Sequence, residues 1–263
     1  MSSSFPMRTM RVRFSGETHV GMKRKHNEDS FGLPDEERLV IVCDGMGGHA
    51  SGEVASQMAV ETVSRYFKST QDEAELTWPF KLDRGIRYEA NRLIVGIKLA
   101  NQLIYEAAQR KEEQHGMGTT IVAGLFLDDK VVIAHVGDSR AYRLRKEQLI
   151  QLTEDHSLLN DYLKMSRLRE DEAGKFQQKN VIVRALGMKE SVQVDMLVDQ
   201  PQLHDVYLFC SDGLTGMVPD AEIADILLDE RDLDRASERL IAAANEAGGV
   251  DNITVVLARL EPL

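Results

Sequence analysis

Leu39-Val40-Ile41-Val42-Cys43-Asp44-Gly45-Met46-Gly47-Gly48 decides the fold: an apolar, strand-like run that breaks on a carboxylate and then on three glycines. The pattern recurs. Val131-Val132-Ile133-Ala134-His135-Val136 runs into Gly137-Asp138, and Val206-Tyr207-Leu208-Phe209-Cys210 runs into Ser211-Asp212-Gly213. Asp251-Asn252 opens the run Ile253-Thr254-Val255-Val256-Leu257. A buried strand ends where it reaches water, so these four aspartates can point into one cleft at a sheet edge. Four carboxylates in one cleft repel each other unless a cation neutralises them. All-oxygen ligands suit hard cations such as magnesium or manganese. The first expectation is a divalent-metal site at the edge of a β-sheet core.

Outward from these runs, residues 11 to 20 alternate through Val12 and Phe14 and predict a strand. Thr119 to Leu127, Lys130 to Val136 and Ala141 to Arg145 follow one another closely. Asp128-Asp129 and Gly137-Asp138-Ser139-Arg140 join them like hairpins, which favours antiparallel pairing. Ser191 to Val198 alternates and predicts a further strand. Ser51 can cap a helix whose face is Ala55, Met58, Ala59, Thr62, Val63, Tyr66 and Phe67. Leu93, Ile94, Ile97, Ala100, Leu103, Ile104, Ala107 and Ala108 form a second stripe over four turns. Helices are also expected over 221–230 and 234–247, the last stopped by Gly248-Gly249. Residues 1–10 read as a loose leader. Residues 157–180 are polar and read as a mobile excursion. No repeat or linker separates two cores, so 11–261 is expected to be one domain.

Composition narrows the function. The chain has 263 residues with 32 lysines and arginines against 43 acidic residues, a net charge of −11. No basic stripe is present to neutralise phosphates, so nucleic acid is not an expected partner. No run approaches the ~18 apolar residues of a membrane span, and Met1–Arg8 has no apolar signal core. A cytoplasmic protein with no membrane partner is the default expectation. Cys43 and Cys210 both lie inside apolar runs and read as core thiols, without zinc-ligand spacing. Neither has the basic surroundings of a nucleophilic thiolate.

Each candidate segment is ambiguous alone. Gly21-Met22-Lys23-Arg24-Lys25-His26-Asn27-Glu28-Asp29 sets a basic cluster before an acidic pair. Arg24 could fork a phosphate, or the segment could be a solvated loop. Asp-Gly steps are usually turns. After Asp44, however, the glycines let backbone oxygens approach a cation closely.

Together the segments resemble the metal-dependent Ser/Thr protein phosphatases of the PP2C type, in their compact bacterial branch. The matching blocks are Arg24-x-x-Asn27-Glu28-Asp29, Asp44-Gly45-Met46-Gly47-Gly48, Gly118-Thr119-Thr120, Gly137-Asp138-Ser139-Arg140-Ala141, Leu152-Thr153-x-Asp155-His156-Ser157, Ser211-Asp212-Gly213-Leu214 and Asp251-Asn252-Ile253-Thr254. Seven in family order are far more specific than any one.

The resemblance implies an α+β fold, a four-layer α-β-β-α sandwich of two mainly antiparallel sheets flanked by helix pairs. It implies that Asp44, Asp212 and Asp251, with the Gly45 carbonyl, bind two Mn²⁺ or Mg²⁺ ions. Glu28 and Asp29 would hold metal-bound waters. Asp138 would serve a third, weaker metal, Arg24 would bind substrate phosphate, and Asn252 would orient Asp251 from behind. Residues 157–180 would match a flap. The implied reaction is hydrolysis of phosphoserine or phosphothreonine by a metal-bridging hydroxide, without a phospho-enzyme. The implied partners are phosphoproteins, a bacterial Ser/Thr kinase among them, acted on by a monomer. One departure stands out. Animal members carry a histidine after the Asp-Gly, and here Met46 fills that place; His49 nearby reads as structural. The competing readings are a phosphatase-like binding module without turnover and a nucleotide phosphodiesterase. The intact acidic set argues against the first, and the lack of any other metal-hydrolase motif against the second.

Overall fold

The computed structural model describes residues 2–33, 37–47, 51–70, 79–80, 85–110, 112–165 and 181–263. Its strands are β1 (Ser2–Pro6), β2 (Arg11–His19), β3 (Asp29–Gly32), β4 (Leu39–Met46), β5 (Gly118–Thr119), β6 (Ile121–Phe126), β7 (Val131–Val136), β8 (Arg140–Arg145), β9 (Gln148–Gln151), β10 (Asp195–Asp199), β11 (Val206–Cys210) and β12 (Ile253–Glu261). One sheet runs β1-β2-β12-β11-β8-β9. The other runs β10-β7-β6-β4-β3, with β5 added against β4. Every pairing between these strands is antiparallel.

The apolar runs are continuous because both of their faces are covered. On β4, Val40 and Val42 enter the core between the sheets, while Leu39, Ile41 and Cys43 meet the outer helices α1 (Ser51–Ser69) and α2 (Tyr88–Arg110). On β11, Tyr207 and Phe209 point inward. Val206, Leu208 and Cys210 pack under α4 (Asp212–Thr215), α5 (Asp220–Asp229) and α6 (Leu233–Glu246). Phe126 locks the centre with edge-to-face contacts to Phe14 at 5.2 Å and Tyr207 at 5.4 Å. The result is the expected four-layer sandwich. Both cysteines are fully buried, as expected, and burial raises both thiols, Cys210 to about 12.

Several local expectations need correction. The 137–139 segment is not a hairpin: β7 belongs to one sheet and β8 to the other, so the chain crosses the sandwich there. Residues 2–6, expected in a loose leader, pair along the edge of β2. The strand expected over Ser191–Val198 starts only at Asp195, against β7. Leu103, placed in the apolar stripe of α2, is exposed. Within 157–165, Ser157 caps a short helix, α3 (Leu158–Lys164), by accepting from the Asn160 N–H. The rest of the expected flap, 166–180, lies outside the described residues, as does His49. Short β3 and β9 went unanticipated. Among the described residues no helix is long and apolar enough to cross a membrane.

Candidate active site

Strand register gathers the aspartates. Asp29 and Asp44 are direct partners across β3 and β4. Cys210 pairs with Val255, so Asp212, just past β11, and Asp251, just before β12, meet at the same edge of the other sheet. The crossing at 137–139 delivers Asp138 between the two.

Asp29 and Asp138 are buried, and Asp44, Asp212 and Asp251 are part-buried, in each other's company. Burial raises Asp44 well above the ordinary carboxylate range, and the charges of Asp29, Asp212, Asp138 and Asp251 add to it. Asp29 and Asp212 are also raised, mainly by burial, and Asp138 is pushed up to about 7 by burial and Asp212. Among the described residues no three His, Cys, Asp or Glu side chains stand in a closed metal cage. The donor set nevertheless fits a hard cation. One oxygen each of Asp29 and Asp138 is buried with no hydrogen-bond partner, and carboxylate oxygens are the donors that hard cations take.

The backbone is built for close approach. A side chain on Gly45 would stand 2.1 Å from the Gly52 carbonyl oxygen and 2.5 Å from that of Glu28. One on Gly213 would stand 1.9 Å from the Asn252 carbonyl oxygen. Both positions therefore require glycine.

Arg24 reaches the rim and donates from Nη2 to Asp251 Oδ2 at 2.7 Å. That hydrogen bond raises the affinity of Arg24 for its proton. The Asn252 side chain ties down the same loop. Its Oδ1 accepts the Glu28 N–H at 2.8 Å, and its Nδ2 donates to the Val20 and His26 carbonyls at 2.9 Å each. Its side chain thus holds the Arg24–Glu28 segment against β12, while its main-chain N–H donates to Asp251 Oδ1 at 2.8 Å. Glu28 is raised by burial, opposed by Arg24.

Other contributors sit inside the quoted motifs with roles that spacing alone does not reveal. Ser211 and Thr254 donate hydroxyls to Asp29 Oδ2 at 2.8 and 2.7 Å. Thr120 Oγ1 accepts the Asp44 N–H at 3.0 Å, and Thr119 Oγ1 donates to the Asp44 carbonyl at 2.9 Å. His156 clamps the Asp138 turn from both sides: the Gly137 N–H donates to His156 Nδ1 at 3.0 Å, and the His156 N–H donates to the Gly137 carbonyl at 2.9 Å. His156 Nε2 lies 3.1 Å from Asp195 Oδ2, and Arg184 holds Asp195 Oδ1 at 2.7 Å. The block 152–157 therefore braces the turn. Thr153 Oγ1 accepts the Ala141 N–H, and Asp155 takes the Arg140 fork.

The protein phosphatase 2C family model matches residues 16–258. The chain belongs to the protein phosphatase 2C family. It is 42% identical over 243 residues to the serine/threonine phosphatase Stp of Listeria welshimeri, covering 91% of this chain and 92% of that one. Its structure resembles the serine/threonine phosphatase Stp1 of Staphylococcus aureus, with TM-score 0.83, 34% identity and coverage of 99% and 98%. It also resembles the catalytic domain of the phosphatase PstP in complex with two manganese ions, with TM-score 0.80, 31% identity and coverage of 96% and 100%.

Proposed function

We propose that this chain is a metal-dependent protein phosphatase acting on phosphoserine and phosphothreonine. One observation carries the reading. Asp29, Asp44, Asp138 and Asp212 are drawn together with no basic side chain in ion-pair contact among the described residues, while Arg24 stands at the rim. Asp44, Asp212 and Asp251, with the Gly45 carbonyl, would hold two divalent cations. Glu28 and Asp29 would act through water, and Asp138 would serve a third, weaker site. The manganese-bearing relative supports the pair and favours manganese. When bound, the cations acidify a water and screen the phosphoryl oxygens, avoiding a covalent intermediate.

The chain's own residues do the positioning. Thr119 and Thr120 fix the backbone of Asp44 from two sides. Ser211 and Thr254 hold one oxygen of Asp29 and leave the other for the cleft. Arg24, anchored on Asp251, offers charged donors to the substrate phosphate. Met46 has no proton to give, so the leaving serine or threonine oxygen must be protonated by another group.

The proposal extends to residues 11–261 as one catalytic domain, a cytoplasmic monomer working on phosphoproteins that include a Ser/Thr kinase. Matches to bacterial phosphatases over nine-tenths of both lengths support the phosphoprotein substrates. The test is hydrolysis of a phosphothreonine peptide before and after chelation. Turnover is expected to vanish in chelator and to return with Mn²⁺. Full activity after dialysis against excess chelator overturns the reading.

A further inference from the structure

Five basic residues converge at the end of the β1-β2-β12-β11-β8-β9 sheet farthest from the aspartates. Arg11, Lys146, His204, Arg231 and Arg259 line a cavity of about 640 Å³, with Glu261 as its one carboxylate. The strands fix the separation. Asp212 follows one end of β11 and Val206 lines the cavity at the other; Asp251 precedes β12 and Arg259 lies near its far end. Five or more residues of strand span roughly 15 Å or more, so the cavity is separate from the cleft.

The charge there is poorly compensated. Glu261 is already engaged by Arg11 at 3.1 Å. Arg259 differs from the other part-buried arginines. Arg92, Arg140, Arg143, Arg145 and Arg184 each grip a carboxylate. Arg259 donates only to the main-chain carbonyls of Arg231 and Glu230, and among the described residues it has no ion pair. Burial weakens its hold on its proton, an effect opposed by Glu261 and Asp232 and reinforced by Arg13 and Arg231. In a protein of net charge −11, a cavity of this sign is contrary to the average surface.

The walls are preformed. Lys146 and His204 are the non-glycine residues with positive φ among those described, at 57° and 73°, and both line this cavity. Such backbone costs energy and persists only where the surroundings impose it. Here the Arg145 fork on Asp205, at 2.9 and 2.7 Å, welds the Lys146 turn to the His204 turn, and the His204 N–H donates to the Leu260 carbonyl. The floor is apolar, from Leu144, Val206 and Leu228, the last of them exposed. Cations over an apolar floor suit a ligand with an anionic head and an apolar body, and the volume is that of a small-molecule site.

We propose that this cavity is a second binding site, for a small organic phosphate carrying at least two negative charges. The phosphates would lie against Lys146, Arg231 and Arg259, and the body over Leu144, Val206 and Leu228. The probe is adenosine 5′-diphosphate, titrated by calorimetry into the metal-loaded full chain and located by hydrogen exchange. Protection over 144–148, 202–206 and 228–231 is expected. Pyrophosphate, which lacks the body, should bind more weakly, and uncharged adenosine should not register. Lys146→Glu with Arg231→Glu, both at exposed positions, should weaken this binding about tenfold or more while kcat on a phosphopeptide holds. Arg24→Ala should leave it intact. Protection confined to the Arg24–Asp251 cleft, equal affinity in the double variant, or no binding at millimolar probe each overturns the site.

Discussion

The same fold treats two sets of buried and part-buried aspartates in opposite ways. Asp155, Asp199 and Asp205 each receive an arginine, from Arg140, Arg143 and Arg145 at close spacing along β8. Asp29, Asp44, Asp138 and Asp212 receive none among the described residues, and burial leaves all four with raised proton affinity. The chain can therefore neutralise a buried carboxylate when only structure is at stake. Leaving four unneutralised is costly, and such a cost persists where it serves chemistry. Substitution should divide the two sets: one should fail in turnover and the other in stability.

The largest effect is expected at Asp212. Asp212→Asn keeps the volume and removes one charge of the proposed metal pair, so turnover should nearly disappear while the fold survives. Retention of more than about a tenth of wild-type kcat, a barrier change under roughly 1.4 kcal/mol, would take Asp212 out of the proposed ligand set.

Arg145→Ala should do the reverse. Asp205 is 1% exposed on its side chain, and stripping its partner leaves a buried charge, which costs on the order of 3 kcal/mol. Chemical denaturation should show the loss, and kcat should stay within about twofold. A variant of unchanged stability would make the paired set no different in kind from the cleft.

The two sets were not equally legible in the sequence. The cleft set announced itself because each member interrupts or opens an apolar run, a pattern that strand physics alone explains. Its hydroxyl partners Ser211 and Thr254 stood inside quoted motifs, yet 43 residues separate them, and only the β11–β12 register shows that both reach Asp29. Most of the paired set was invisible: Arg140 and Asp155 stood inside quoted motifs, but Arg143–Asp199 and Arg145–Asp205 each span more than 50 residues. The hairpin expected at 137–140 failed for a related reason: a short polar turn reads identically whether the next strand joins the same sheet or the opposite one. That crossing puts Asp138 in the cleft.

Arg24 tests the border between the sets, being an arginine paired with a cleft aspartate. Its side chain is half exposed, so its ion pair with Asp251 contributes little stability. Arg24→Ala should leave stability nearly unchanged. It should raise KM for a phosphopeptide by about tenfold to a hundredfold, the equivalent of losing a hydrogen bond to a charged group at ~1.5–3 kcal/mol. Arg24→Lys should recover only part, because a point charge cannot make the fork. If kcat fell while KM held, Arg24 would act only on the transition state. Unchanged kcat/KM would return it to the solvated-loop reading.

The smallest effect is a slope. In the metal-free protein the cleft aspartates have folded-state proton affinities above their unfolded ones, with Asp138 moved from its ordinary 3.8 to about 7. A group shifted in that direction gives its full stabilisation below the unfolded value and loses it as pH rises through the folded one. Metal-free protein should therefore become less stable as pH climbs through 7, by up to about 1.4 kcal/mol per pH unit for each proton released. Buried His135 and His156 work the other way, because burial lowers both. Their penalty develops only as pH falls below the ordinary histidine value of 6.5, so calorimetry between pH 6.5 and 8 isolates the carboxylates. Saturating Mn²⁺ should reverse the slope, because cations bind the ionised form and release the protons. The arginine-paired set keeps its cations with or without metal and should not respond to the exchange. A metal-free protein whose Tm rises with pH across this window would mean that the four aspartates are already neutralised, and the contrast with the paired set would collapse.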